Sequence, residues 1–303
     1  MKPRRRAPAL VPSAALAAIL CALLATLAPQ PAAASCDDPR PLRLALIPKS
    51  QGEALVAQYR PLLDELERTL ARRVDIVPTP SYGTVVEGLL AGHIDLAELG
   101  PATYATALER GAAITAFASF RQHAGPTTAS PSSYHSMLIT RRGRGAGGVD
   151  GLRGATLSLT DPGSTSGAVL PRDAIARLTG SALEHHFGRI TFSGTHGRAI
   201  EAVRTAAVDA AFVSSSRIDE AIRLGHLQRD DIDVVWTSAP IPYDPFVHRT
   251  RLCPALKAQI AAVFFGDAPA LRPMFAALGM SGFAAVDDSH YREIRDLLGR
   301  APR

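Results

Sequence analysis

Hydrophobic residues recur at two different spacings along this chain, and the two spacings alternate. Short apolar runs rich in β-branched residues predict strands, whereas apolar positions three and four residues apart predict helices. In the first 120 residues the predicted strands and helices succeed one another at 42–47, 53–72, 74–77, 84–91, 94–97, 102–110 and 114–120. This alternation is typical of an α/β sheet.

A polar segment interrupts the alternation, which then starts again. Residues 122–133 are rich in Gly, Pro, Ser and Thr and predict a loop. The predicted elements after it are a strand at 134–140, strands at 157–160, 189–193, 209–213 and 232–236, helices at 168–178, 197–206 and 217–224, and final helices at 254–265, 270–278 and 289–298.

Two α/β series in one chain predict two lobes. Extended crossings at about 136–140 and 237–242 would join them as hinges. We therefore predict that residues 35–137 and 241–303 form lobe 1, and that residues 138–240 form lobe 2, inserted into it.

Residues 1–34 have the pattern of a secretory signal peptide. A basic start at residues 2–6 precedes an apolar run at 14–28 and small residues at 32–34 that suit cleavage before Ser35. Residues 33–36 also resemble a lipobox, so a lipid anchor at Cys36 is the alternative to plain cleavage. The absence of Leu three positions before Cys36 favours plain cleavage. We expect the protein in the periplasm.

The chain's positive charge comes largely from this segment. The formal charge is +5, and it falls to +1 without residues 1–34, which hold four cations and no acid. The charge therefore gives no reason to expect nucleic-acid binding. Cys36 and Cys253 remain in a compartment that permits disulfides, so a bridge and two separate thiols are both open.

One turn stands out as a candidate for chemistry. Residues 161–167 read Asp-Pro-Gly-Ser-Thr-Ser-Gly between a predicted strand and a predicted helix. The start of a helix has N–H groups without intrahelical partners and a partial positive charge. Ser164, Thr165 and Ser166 therefore either cap the helix or, with those amides, hold a small oxyanion.

Signals of catalysis are weak. Thr165 lies at the centre of the Gly-Ser-Thr-Ser-Gly run, where a hydrolase nucleophile elbow requires Ser. No Gly-rich phosphate loop is present, and the histidines and cysteines lack metal-ligand spacing. We expect no enzymatic activity, no metal and no other cofactor.

Short blocks in a fixed order resemble the periplasmic phosphate/phosphite/phosphonate-binding proteins of ABC transporters. The blocks span nearly all of 41–298 and are residues 82–89, 92–97, 100–104, 134–136, 161–167, 193–196, 208–211, 236–238, 241–245, 281–283 and 287–288. The resemblance implies a type 2 periplasmic binding protein, with two α/β lobes joined by a hinge around a ligand cleft.

The resemblance also implies a set of ligand-binding residues. They are Tyr82, Tyr134, Ser164, Thr165, Ser166, His196 and Asp244. Phenols and hydroxyls donate hydrogen bonds to an oxyanion without adding cations that hold every anion equally. His196 would donate as a neutral ring, or carry a charge if a bound anion raised its pKa. Asp244 would accept a hydrogen bond from a protonated P–OH, or face an amine.

One departure bears on the ligand. Members of the family that bind aminoalkyl phosphonates carry a Glu near the position of Ser216, where this chain has three serines in a row. We therefore expect an anion without an amine, such as phosphite, phosphate or methylphosphonate. The prediction is a monomeric solute-binding protein that delivers this anion to an ABC permease in the inner membrane. The alternative is a periplasmic oxyanion sensor that signals to a membrane histidine kinase.

Overall fold

A computed structural model of the protein describes residues 36–49 and 52–300. The predicted signal peptide lies outside the described residues. The strands are β1 (Leu42–Leu46), β2 (Val74–Ile76), β3 (Leu96–Glu98), β4 (Ile114–Gln122), β5 (Ser133–Tyr134), β6 (Ser136–Arg141), β7 (Thr156–Leu159), β8 (Arg189–Phe192), β9 (Ala210–Ser214), β10 (Ile232–Thr237), β11 (Ile241–Pro242), β12 (Pro245–Arg249) and β13 (Met280–Ala285).

The helices lie where apolar residues recur every three to four positions. They are α1 (Gly52–Leu70), α2 (Tyr82–Leu90), α3 (Pro101–Glu109), α4 (Leu170–Thr179), α5 (Leu183–His186), α6 (His196–Arg204), α7 (Ser215–Arg223), α8 (Pro254–Phe265), α9 (Arg272–Leu278) and α10 (Arg292–Arg300). A π-helical turn, Thr165–Val169, leads directly into α4.

Two sheets organise these elements into two lobes. The six-stranded sheet has the order β13-β4-β12-β3-β1-β2 and is the centre of lobe 1. The five-stranded sheet has the order β10-β6-β9-β7-β8 and is the centre of lobe 2. In each sheet three neighbouring strands are parallel, namely β2-β1-β3 and β8-β7-β9. The exact residues at which one lobe passes into the other, 137 and 240, stay a prediction.

Each sheet is covered by apolar side chains on both faces, as expected for parallel strands. In β1 the alternating Leu42 and Leu44 pack with α1 and α8, whereas Ala45 packs with α2 and α3. In lobe 2 one cluster joins α6 and α7 to the sheet, and a second joins α4 and α5 to its other face. Helices therefore cover both faces of both sheets, which is the α/β architecture that the alternation predicted.

The sequence pattern misplaced several strands. The single strand predicted at 134–140 is two strands in different sheets: β5 pairs with β11 in a two-stranded ribbon, and β6 belongs to lobe 2. The predicted crossing at 136–140 is therefore part of a sheet. Strands β12 and β13 were not predicted, although both flank β4 in lobe 1. With β4 they form the antiparallel half of a sheet whose other half is parallel.

Both cysteines in the described part of the chain, Cys36 and Cys253, are disulfide-bonded. Backbone hydrogen bonds link Asp37 to Arg251 and to Cys253, so the chain beside Cys36 follows residues 251–253. The sequence left a bridge and two separate thiols open, and in the structure both sulfurs belong to a disulfide.

Membrane-spanning length and hydropathy are not combined in any single helix of the described residues. One sharply bent pair, Pro254–Phe265 with Pro269–Leu278, meets the criteria by length and composition only.

Candidate functional site

A small cavity lies between the two lobes at the carboxyl ends of their parallel strands, where open α/β sheets bind ligands. All seven ligand-binding residues implied by the sequence resemblance line it. The complete lining is Ile47, Lys49, Tyr82, Gly100, Tyr134, Ser164, Thr165, Ser166, His196, Ser214, Ser216, Arg217, Tyr243 and Asp244. Residues from both lobes therefore converge on one space.

The serine-threonine turn is both a cap and a cavity wall. Ser164 is the N-cap of the π-helical turn, and its Oγ accepts a hydrogen bond from Gly167 N at 3.1 Å. Thr165 Oγ1 accepts from Ala102 N of α3 at 2.9 Å. Because that oxygen accepts from the other lobe, the Thr165 hydroxyl hydrogen is free to donate elsewhere. The two roles that the sequence left open for this turn, capping the helix and holding a small oxyanion, are thus compatible.

His196 is a neutral hydrogen-bond donor. Its Nδ1 accepts from the backbone N–H of Ser214 at 3.2 Å, so the ring proton must be on Nε2. Nε2 lies 3.5 Å from Ser164 Oγ, at the cavity wall. Burial, followed by the nearby charges of Arg217 and Lys49, lowers the pKa of His196 to about 3. Of the two roles considered for this ring, the structure favours the neutral one.

The phenols of Tyr82 and Tyr134 also stay protonated. Burial raises the pKa of both, and the negative charge of Asp244 raises it further. Tyr82 is the first residue of α2, after the N-cap Ser81, rather than part of the preceding loop. Tyr134 ends β5 in the two-stranded ribbon between the lobes. Each phenol can therefore donate a hydrogen bond to an anion without itself becoming one.

Asp244 faces a cation of the protein's own. Its Oδ2 lies 2.6 Å from Lys49 Nζ, and the same ammonium lies 2.5 Å from Glu98 Oε1. Tyr59 donates to the other oxygen of Glu98 at 2.6 Å. Burial alone would lower the pKa of Lys49, but the carboxylates of Asp244 and Glu98 raise it above its ordinary value. Lys49 is therefore charged.

A second cation lines the cavity beside Ser216. Arg217 follows Ser216 in α7 and pairs with Glu220 at 2.5 Å. Burial alone would lower the pKa of Arg217, but Glu220 raises it well above the ordinary value. The Tyr243 hydroxyl is buried without a hydrogen-bond partner in the described residues, although Ser216 is close to it. This side of the cavity thus has donors and positive charge where an amine-binding site would need a carboxylate.

The cavity has room for a small ligand. The space open to the centre of a water molecule is about 20 Å³, somewhat more than the roughly 10–15 Å³ that one water requires. A nucleotide is far too large for this space. Within the described ranges no cluster of three or more His, Cys, Asp or Glu side chains is arranged to hold a metal.

Sequence reasoning missed three prominent cavity residues: Lys49, Arg217 and Tyr243. Each had a usable signal. Lys49 comes just after the carboxyl end of β1, Arg217 follows Ser216, and Tyr243 precedes Asp244 within a matched block. Their neighbours were noted, but a chain position does not say which of two adjacent side chains points inward.

Comparison with known proteins agrees with this geometry. A family model described as the periplasmic substrate-binding protein of phosphonate ABC transporters matches residues 44–291. The match covers most of the chain. The chain belongs to this family. It is therefore the substrate-binding component of a transport system and not an enzyme, as the sequence predicted.

Individual relatives differ in the ligand that they are named for. The chain is 29% identical over 237 residues to the phosphate-import protein PhnD of Mycolicibacterium smegmatis, covering 76% of this chain and 73% of the relative. It is 27% identical over 270 residues to the phosphonates-binding periplasmic protein of Escherichia coli, covering 86% and 77%.

A solved structure shows the same fold. The binding-protein component of an ABC phosphonate transporter from Pseudomonas aeruginosa superimposes with a TM-score of 0.75 at 24% identity, and the match covers 86% of each chain. The two-lobed type 2 fold implied by the sequence is confirmed.

Proposed function

We propose that this protein captures a small phosphorus oxyanion without an amine, namely phosphite, phosphate or a simple phosphonate such as methylphosphonate. The observation that carries the proposal is the cavity between the lobes, whose lining brings six neutral hydrogen-bond donors together beside the cations Lys49 and Arg217. The neutral donors are the Ser164, Thr165 and Ser166 hydroxyls, the two phenols and the Nε2–H of His196. The relatives named for phosphate and for phosphonates share ligands with a PO₃ group.

The physical argument is that fixed dipoles can replace the hydration shell of an anion. Each hydrogen bond to a charged acceptor contributes about 1.5–3 kcal/mol. Neutral donors oriented by backbone contacts, as Ser164 is by Gly167 N, select geometry as well as charge. On its α7 side the cavity is lined by Ser216 and by the cation Arg217, which favours a ligand without an ammonium group.

A ligand screen tests the proposal. Purified protein is titrated with phosphite, phosphate, methylphosphonate, 2-aminoethylphosphonate and sulfate, by thermal shift and calorimetry. Binding of a phosphorus oxyanion should raise the melting temperature by mass action. The variant S164A/T165A loses two donors and should bind on the order of 10²–10⁴-fold more weakly. Unchanged affinity in that variant would show that the ligand binds elsewhere.

A cellular experiment distinguishes delivery from sensing. We propose delivery to an ABC permease by a monomeric protein in the periplasm, after cleavage of the signal at 1–34. Deleting the gene should abolish growth on the bound anion as the sole phosphorus source. Normal uptake together with a lost transcriptional response to the anion would instead support the sensor alternative. Size-exclusion chromatography of the exported protein checks the monomer, and N-terminal sequencing checks the cleavage.

A further inference from the structure

Lys49 occupies a complete ammonium-binding site inside the cavity wall. Its Nζ lies between Glu98 Oε1 at 2.5 Å and Asp244 Oδ2 at 2.6 Å. The ring of Tyr243 lies 5.9 Å from the same nitrogen, in the range of a cation–π contact. Tyr59 fixes the orientation of Glu98 through its second oxygen. Two carboxylates and an aromatic face are what a ligand's ammonium group would need.

Burial makes this arrangement demanding. The side chain of Lys49 is 4% exposed and that of Glu98 is fully buried. A buried carboxylate without a cation is strongly unfavourable, so a positive charge must lie between Glu98 and Asp244. The protein supplies that charge itself, on a side chain anchored in its own backbone.

We propose that Lys49 is a specificity-determining residue that excludes ligands carrying an ammonium group, because its own ammonium fills the position that such a group would take. The inference rests on the proposed function and names the residue that keeps ligands with an ammonium group out of the cavity. Arg217 acts in the same direction, because an ammonium displaced from the two carboxylates would meet its guanidinium in the same cavity.

The test is a gain of binding. Lys49→Ala removes the ammonium and opens room for a short aminoalkyl chain, leaving both carboxylates to receive it. We expect K49A to bind 2-aminoethylphosphonate on the order of 10–100-fold more tightly than the wild type does, from the strength of close buried charge pairs. Calorimetry with 2-aminoethylphosphonate and methylphosphonate gives the ratio of the two affinities for each variant.

Two matched variants isolate the cause. Lys49→Met removes the charge but keeps most of the side-chain volume, so it should show no comparable gain for the amine. Lys257→Ala removes a lysine outside the cavity and should keep the wild-type ratio of affinities. An equal gain in K49M would contradict the inference, because the Met side chain still fills the position that the ligand's ammonium group would take.

A double variant keeps the inference testable if K49A does not fold. K49A/E98Q removes one charge of each sign, so the buried charge balance of the wild type is kept while Asp244 is still open to an amine. It should fold and should also prefer 2-aminoethylphosphonate more than the wild type does. If neither K49A nor K49A/E98Q gained affinity for 2-aminoethylphosphonate, the inference would be contradicted. Tight binding of 2-aminoethylphosphonate by the wild type would contradict it as well. If the wild type bound no phosphorus oxyanion at all, the proposed function itself would fail.

Discussion

At the scale of single residues, the cavity is built from groups whose protonation is set by burial. The phenols keep their protons because their pKa values are raised, and His196 stays neutral because its pKa is lowered to about 3. The charged groups, Lys49 and Arg217, are each paired with carboxylates of the chain. The phenols and His196 are thus neutral hydrogen-bond donors, whereas Lys49 and Arg217 carry the positive charge.

The neutral His196 has a consequence for stability against pH. Its folded-state pKa of about 3 lies below the ordinary value of 6.5. In acid the unfolded chain therefore takes up a proton that the folded protein does not. Stability falls as the pH drops from about 6.5 toward 3, with a slope contribution approaching 1.4 kcal/mol per pH unit.

His196→Gln should remove this contribution. Urea unfolding at several pH values in that window measures it. We expect the free energy of unfolding of the variant to depend less steeply on pH, by the slope that corresponds to about one bound proton. Wild type and variant with the same slope would contradict the neutral state assigned to this ring. Above about pH 7 the two proteins should respond to pH alike, because both unfolded chains are then uncharged at this position.

At the scale of elements, the turn that opens into α4 depends on a glycine. A Cβ at Gly167 would clash with the side chain of Thr160 and lie 2.9 Å from Ser164 Oγ. Thr160 also contacts His196 Nδ1 at 3.1 Å. The absence of a side chain at Gly167 therefore lets the capping serine and the histidine approach one another.

Gly167→Ala should destabilise the protein by about 1–3 kcal/mol, as overpacking in a close-packed interior does, and should also weaken anion binding. The matched control is Gly197→Ala, near the start of α6, where an added Cβ meets nothing within 4 Å. There the better helix propensity of Ala should stabilise by up to about 1 kcal/mol. Chemical denaturation compares the two, and a tolerated G167A would show that the turn can shift.

At the scale of the whole molecule, hydrogen bonds close the cleft around the cavity. On one rim Ala102 N donates to Thr165 Oγ1, and Thr103 Oγ1 donates to Gly163 O, both at 2.9 Å. Near the opposite side Thr127 donates to Asp219 through both its backbone N–H and its hydroxyl. These bonds join the lobes directly, so closure and ligand binding should be coupled.

Two threonine variants separate closure from ligand contact. Thr103→Val removes an interlobe bond but no cavity residue, and should weaken anion binding only by the value of one hydrogen bond, about 0.5–1.5 kcal/mol. Thr165→Val removes an interlobe bond and a cavity donor together, so its loss should exceed that of T103V by roughly 1.5–3 kcal/mol. Equal losses, measured by calorimetry, would mean that Thr165 serves closure alone.

Small-angle scattering checks the closure itself. The described conformation has both rims joined, and we expect the ligand-free protein in solution to have the larger radius of gyration, since the lobes lose the ligand that links them. Addition of the bound anion should reduce it. The same radius with and without ligand would contradict hinge closure.

The sequence alone determined the α/β alternation and the two lobes, because these depend on local periodicity. Its resemblance to a family also singled out seven residues, at positions that the fold brings to one cavity. It did not give β12 or β13, whose pairing with β4 joins residues far apart in the chain. It also placed Asp244 in the site without its partner. That Lys49 reaches Asp244 and Glu98 was decided by the tertiary structure alone, because buried charges find their partners across strands that only folding brings together.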